Sequence, residues 1–116
     1  MARVFVYGTL RTGQSNHSFL GKASKLGACQ LVSGYSLFNL GCYPGAKKSI
    51  SSHTPLYGEV YDVDSNTMAL LDQLEEYPEL YTRELVDTEF GGAWIYLYCL
   101  SVIDLPLIHS GDWCRK

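Results

Sequence analysis

Val4-Phe5-Val6-Tyr7-Gly8-Thr9-Leu10 opens on four consecutive strand formers and breaks at a glycine. The run from Arg3 to Tyr7 is expected to be a buried central strand, because Val4, Phe5, Val6 and Tyr7 follow one another without a break up to Gly8. A glycine directly after such a strand lets the chain turn sharply and present successive backbone N–H groups to a carboxylate or a carbonyl. A strand that simply ends in a tight turn leaves the same pattern, so the spacing alone carries little. The stretch is not a nucleotide loop. No Gly-Lys-Ser/Thr follows at P-loop spacing, and no Gly-x-Gly-x-x-Gly occurs.

Working outward, Ser15 or Asn16 can cap a short helix running to Leu20, with Gly21 or Gly27 ending it. Cys29 to Leu40 holds two β-like stretches around Gly34. The following Gly41-Cys42-Tyr43-Pro44-Gly45 reads as a loop whose glycines and proline interrupt any ladder, long enough to form a pocket wall. Lys47-Lys48 reads as part of a solvated loop. Leu56 to Val63 favours strand, Asp64 or Ser65 caps a helix from Thr67 to about Glu75, and Pro78 prevents its continuation. Tyr81 to Phe90 and Ala93 to Leu100 read as a hairpin turning at Gly91-Gly92. This order does not repeat as βαβ units. It predicts an α+β fold, one small domain over residues 1–116 with a mixed, curled sheet.

Composition narrows the function classes. The 116 residues are 47% hydrophobic and 18% charged, which argues against disorder, and no apolar run reaches the ~20 residues that cross a bilayer. The formal charge of −3 disfavours a nucleic-acid footprint, which needs a concentrated basic face. No signal-peptide pattern opens the chain, so a cytoplasmic location is expected. Cys29, Cys42, Cys99 and Cys114 have no two-residue spacing and are expected as free thiols. His17, His53 and His109 stand far from them in sequence, so no metal site is expected. A thiol nucleophile at Cys42 lacks an identifiable basic partner.

Asp72-Gln73-Leu74-Glu75-Glu76-Tyr77-Pro78 offers the other candidate chemistry. At about 100° per residue, Met68, Leu70, Leu71 and Leu74 fall on one apolar arc with Glu75 at its edge, whereas Glu76 turns toward solvent. The helix end, partial burial and the Glu76 charge all disfavour ionisation of Glu75, which raises its pKa above about 4.3 and suits it to general-base work. Two helix-end surface charges are the structural alternative. Asn16 reads as a cap. Arg83 is expected to pair with Glu59 or Asp87, a substrate carboxylate being the alternative, and Tyr81 is either a substrate contact or a half-buried strand tyrosine.

Residues 4–10, followed by Gly13-Gln14-Ser15-Asn16-His17, resemble the opening of the γ-glutamylcyclotransferase-like family, a strand followed by Tyr-Gly-Ser/Thr-Leu. The run Leu71-Asp72-Gln73-Leu74-Glu75, then Pro78, Tyr81 and Arg83, resembles the family's acidic landmark, and Gly58-Glu59-Val60-Tyr61 resembles a strand between the two. Glu76 replaces the small residue often found there. The resemblance, which extends to the γ-glutamylamine branch and small bacterial relatives, implies a barrel-like β structure flanked by short helices. It also implies a cyclotransferase that needs no cofactor. Tyr7, Gly8, Thr9 and Leu10 would hold the α-amino-acid end of a small γ-glutamyl substrate, with Glu75 as acid and base and 5-oxoproline as product. A fold that keeps this cradle as a non-catalytic binding module for γ-glutamyl or other amide-bearing ligands is the alternative from another class.

Overall fold

A computed structural model describes residues 1–116. The first strand, β1 (Ala2–Val6), is central in a five-stranded sheet ordered β2-β5-β1-β7-β6, where β2 is Ser24–Leu31, β5 Leu56–Val63, β6 Tyr81–Thr88 and β7 Gly91–Tyr98. It runs antiparallel to β5 and parallel to β7, so the sheet is mixed as the element order requires. Strands β3 (Tyr35–Asn39) and β4 (Pro44–Lys48) form a separate antiparallel ribbon, and one helix, α1 (Ser65–Leu74), follows β5. Two short 3₁₀ turns, His17–Leu20 and Trp113–Arg115, complete the structure.

The uninterrupted apolar reading of β1 has a physical cause: both faces of the strand are covered. Phe5 joins a core with Leu37 and Ala46 of the ribbon, Ile95 of β7, and Ile108 and Trp113 of the C-terminal segment. Val4 and Val6 point the other way, into a core with Leu20, Met68, Leu71, Tyr81 and Tyr96. The helix therefore seals one face of the sheet and the ribbon with the C-terminal segment seals the other.

Several local expectations shift. The first helix is a 3₁₀ turn, and Asn16 does not cap it, because its side chain is drawn away to Thr9. Gly21, at φ 57°, ends that turn, whereas Gly27 lies inside β2 at a register shift. The stretch expected as a ladder-breaking loop contains the start of β4, since Pro44 occupies the first strand position, where a missing N–H costs least. Lys47 and Lys48 are consequently strand residues, and Lys48 pairs with Glu84 at 3.1 Å. The hairpin turns at Glu89-Phe90. Thr88 Oγ1 donates to the Gly91 carbonyl at 2.7 Å and accepts from the Phe90 amide at 3.0 Å, which closes the turn before Gly91, at φ 94°, enters β7.

Asp64 caps α1 through a 2.8 Å bond from the Thr67 amide. Met68 and Leu71 are buried, but Leu70 is 49% exposed and falls off the arc that sequence assigned it to. The helix stops before Pro78 can act: Glu76 takes φ 51°, the left-handed conformation that terminates helices. Arg83 pairs with neither Glu59 nor Asp87. Glu59 lies on β5, separated from β6 by both β1 and β7, and Asp87 is four residues toward the hairpin tip, about 13 Å along the strand. Arg83 instead reaches Asp72 of α1 with bonds of 3.0 and 3.3 Å, its guanidinium lying 4.7 Å from the Tyr77 ring and 4.4 Å from the Trp94 ring.

That stacked, two-pronged contact needs the planar guanidinium. Arg83→Lys is therefore expected to keep the charge but lower stability by about 1–2 kcal/mol, read as a fall of several degrees in melting temperature. An unchanged melting temperature would remove the hairpin-to-helix clamp from this account.

Candidate active site

The loop after β1 is tied to itself in a way that leaves three amides free. Arg11 N–H closes a turn on the Gly8 carbonyl at 3.1 Å, and Asn16 holds Thr9 twice, its backbone amide on the Thr9 carbonyl at 2.8 Å and its Nδ2 on Thr9 Oγ1 at 3.0 Å. His17 Nδ1 lies 2.9 Å from the Leu10 carbonyl, so this nitrogen carries the proton. With the carbonyls engaged, the N–H groups of Gly8, Thr9 and Leu10 have no acceptor within the protein. Unpaired amides in sequence are an anion-binding concavity.

These residues border a cavity of about 220 Å³. Tyr7 and Tyr96 line it from the sheet, Tyr43 and Pro44 from the start of β4, and Leu74, Glu75, Glu76 and Leu80 from the end of α1 and the segment after it. Gly8 is not in the left-handed region. What makes it glycine is space, because a Cβ there would stand 2.6 Å from Pro44 Cγ and 2.8 Å from Pro44 Cδ. The close approach of the two loops sets the width of the cavity on that side.

Three tyrosines are fixed around the chamber by their hydroxyls. Tyr7 donates to the Tyr96 carbonyl at 2.6 Å and accepts from the Ala46 amide at 3.1 Å, Tyr81 donates to the Pro44 carbonyl at 2.7 Å, and Tyr96 donates to Asp72 at 2.7 Å. Burial, joined by the charge of Glu75, pushes the Tyr7 phenol well above its ordinary pKa, and burial does the same to Tyr81 and Tyr96. All three stay neutral and act as rigid walls. Tyr81 is a strand tyrosine that is fully buried and not half-buried, and it also lines the cavity.

Glu75 closes the helix with its amide on the Leu71 carbonyl at 2.9 Å, while its half-buried carboxylate faces the cavity with no hydrogen-bond or ion-pair partner in the protein. Burial raises its pKa from 4.5 to about 7. Desolvation is the cause, and neither the Glu76 charge nor the helix end is needed to explain it. Glu76 is exposed, as the helix wheel implies, yet it also borders the mouth.

Behind the cradle lies a buried polar cluster that sequence did not reveal. Glu59, 5% exposed, accepts from the Thr12 amide at 2.9 Å, the Thr12 hydroxyl at 3.0 Å, the Tyr61 hydroxyl at 2.9 Å and Arg11 Nε at 3.1 Å. Arg11 Nη1 also reaches Asp112 at 2.8 Å. Burial alone would raise the Glu59 carboxyl, but the Thr12 amide, Tyr61 and Arg11 together hold it below its ordinary value.

The cysteines do not join the site: Cys42, Cys99 and Cys114 are exposed, Cys29 is buried in the sheet, and none lines the cavity. Asn16, Tyr43, Pro44 and Tyr96 do line it, and sequence reasoning named none of the four individually as a site residue. Asn16 carried a signal within a quoted motif, and Tyr43 and Pro44 lie in the stretch expected to form a pocket wall, which they do; only Tyr96 carried none.

Residues 4–115 match the family model described as gamma-glutamyl cyclotransferase, AIG2-like. The chain belongs to this family. A Vibrio cholerae protein provisionally named a gamma-glutamylcyclotransferase is 47% identical over 113 residues, covering 97% of this chain and 96% of its own. A Bos taurus protein named gamma-glutamylaminecyclotransferase is 34% identical over 106 residues, 85% of this chain and 63% of the bovine one. Among solved structures, an uncharacterized protein from Pyrococcus horikoshii superposes with a TM-score of 0.83 at 32% identity, covering 99% of this chain and 92% of that one. The mixed sheet with one helix is thus the architecture that the family resemblance in the sequence implies.

Desolvating Glu75 has a measurable consequence for stability. With its pKa raised from 4.5 to about 7, the folded state binds more protons than the unfolded state across that interval, so stability falls as pH climbs through it. Glu75→Gln has no charge to desolvate. It is expected to be more stable than the wild type by roughly 1–3 kcal/mol at about pH 8, with the difference shrinking toward about pH 4, as followed by urea unfolding. Equal stability at about pH 8 would show that the carboxylate is better solvated than its position implies.

Proposed function

We propose that the protein cyclises γ-glutamyl substrates to 5-oxoproline and a free amine, with Glu75 as the proton carrier. The observation that carries this reading is the meeting, in one small cavity, of an unpartnered carboxylate poised near neutrality and three amides without acceptors. Those amides suit the α-carboxylate of the substrate or the oxygen anion that develops at its γ-carbonyl. Family membership and the name of the bovine relative support the same substrate class.

The chemistry balances without a further reactant. The α-nitrogen enters as an ammonium group and must shed one proton to become a nucleophile and a second when it bonds the γ-carbon. The nitrogen of the breaking C–N bond must gain two to leave as an ammonium group. Glu75 takes protons from the first nitrogen and delivers them to the second, the shuttle role for which a pKa close to the working pH is best. Both reacting atoms belong to one molecule, so a chamber that holds the substrate folded toward a five-membered ring supplies acceleration through orientation. The aromatic walls of Tyr7, Tyr81 and Tyr96, locked by their hydroxyl bonds, provide that fixed shape.

The test is incubation of pure protein with γ-glutamyl amines, γ-glutamyl amino acids, γ-glutamyl-ε-lysine and glutathione, followed by mass-spectrometric detection of 5-oxoproline. Glu75→Gln should fold and bind while kcat falls about 10²–10⁴-fold. The wild-type kcat/KM should climb with pH through an apparent pKa near 7, since the ionised carboxylate is the active form, and that limb should be missing from Glu75→Gln. Binding without product from any substrate would replace catalysis with recognition. A Glu75→Gln enzyme within a few-fold of wild type would remove the carboxylate from the mechanism.

Gly8→Ala probes the cradle separately. The added methyl must displace Pro44, narrowing the chamber at the amides, so KM is expected to rise about tenfold with a smaller change in kcat. An unaltered KM in the folded variant would mean that the substrate does not use this wall.

A further inference from the structure

The lining of the cavity is electrostatically one-sided. Among its fifteen residues are two carboxylates, Glu75 and Glu76, and no lysine, arginine or histidine. We infer that Glu76 is a specificity residue, selecting γ-glutamyl substrates whose leaving amine carries a second positive charge and no carboxylate, the class of mono-γ-glutamyl diamines. This rests on the cyclotransferase reading above and names the half of the substrate that the reading leaves open.

The position of Glu76 is fixed by its backbone. Its amide donates to the Gln73 carbonyl at 3.1 Å and its carbonyl accepts from the Leu80 amide at 3.0 Å, so the helix end dictates where the side chain emerges. With φ at 51°, the site favours glycine or asparagine, and a glutamate there gives the turn nothing that they would not. What it adds is a carboxylate at the mouth. That carboxylate has no ion-pair partner in the protein. Arg83, Lys48 and Lys47 have other partners: Arg83 has Asp72 and the Tyr77 and Trp94 rings, Lys48 has Glu84, and Lys47 lies over the Tyr98 ring.

Each part of a γ-glutamyl amide then has a distinct fate. The α-carboxylate has the Gly8, Thr9 and Leu10 amides, and the α-amine has Glu75. The leaving amine extends toward solvent past Glu76 and Tyr43, whose ring is 39% exposed at the same mouth. A distal ammonium group finds a free carboxylate and an aromatic face, both of which attract cations. A distal carboxylate, as in an amino acid or peptide leaving group, finds like charge and no compensating cation.

Three amides of nearly equal length isolate the distal group: the γ-glutamyl derivatives of putrescine, pentylamine and δ-aminovalerate, ending in ammonium, methyl and carboxylate. The expected order of kcat/KM is putrescine over pentylamine over δ-aminovalerate, by about three- to fivefold at each step, the size of an exposed charge interaction. The spread should contract as salt rises, because Glu76 is exposed. Glu76→Gln, verified as folded by its melting temperature, should bring the three rates within about twofold of each other and remove their divergent salt responses, whereas Glu76→Asp should keep the order. Equal rates in the wild type, or an order that survives Glu76→Gln, overturn this inference and leave the cyclotransferase reading intact. No 5-oxoproline from any of the three overturns this inference, and the cyclotransferase reading falls with it only when the wider γ-glutamyl panel gives none either.

Discussion

Glu59 is the carboxylate on which the cradle is hung. It belongs to β5, beside the central strand, and through Thr12 and Arg11 it grips the chain just after Gly8, Thr9 and Leu10 have left that strand. Arg11 extends the grip to Asp112, which Arg115 and the Cys114 amide also hold, so the first loop is fastened to the far end of the chain. Side-chain relative exposures of 13% for Arg11, 7% for Glu59 and 8% for Asp112 put these charges where removing water costs several kcal/mol each. Such a cluster contributes little net stability over an apolar packing of the same volume. What it fixes is geometry, because the donors of Arg11 and Thr12 satisfy the acceptors of Glu59 in only one loop conformation. The unpaired amides of the cradle are a by-product of that conformation.

Two carboxylates in one small domain thus have opposite surroundings and opposite chemistry. Glu59 is buried with a full set of donors and is held ionised, whereas Glu75 faces an aromatic cavity with no donor and is pushed toward neutrality. Burial raises the pKa of both, and hydrogen bonding decides the sign of the outcome. A protein optimised for stability alone would give Glu75 a partner or remove its charge. Its lone position at the end of α1 is the kind of local destabilisation expected of a working group.

Much of the scaffold was legible because its causes are local. The uninterrupted apolar run of β1, the Asp64 cap and the turn-forming residues near Gly91 each declare an element through neighbouring residues, and the structure places all three within a few positions of that reading. Glu75 was legible through helix periodicity and a family likeness. The rest depends on long-range pairing that a sequence window does not contain. Pro44 looks like a strand breaker until Tyr81 binds its carbonyl and Asn39 pairs with it across the ribbon. Asn16 looks like a cap until Thr9 claims its side chain, and Arg83 finds its true partner only when α1 folds across β6. Glu59 carried no sign in its spacing that Arg11, 48 positions earlier, would reach it.

The same contrast explains how so small a fold can house the proposed chemistry. An enzyme joining two molecules must collect and align them, and commonly needs a closing lid to do so. An intramolecular cyclisation removes that requirement, leaving the protein to hold one flexible chain bent, strip water from one carboxylate and supply dipoles for one anionic group of the substrate. Those three tasks fall on three structural boundaries: the rigid tyrosines at the rim of the sheet, the C-terminus of α1, and the loop leaving β1. Each boundary is set by an element whose main work is packing the core, with Tyr7, Leu10 and Tyr81 themselves part of it. The site is therefore as rigid as the core. Variation in substrate has to enter where the core ends, at exposed positions such as Tyr43 and Glu76 around the mouth.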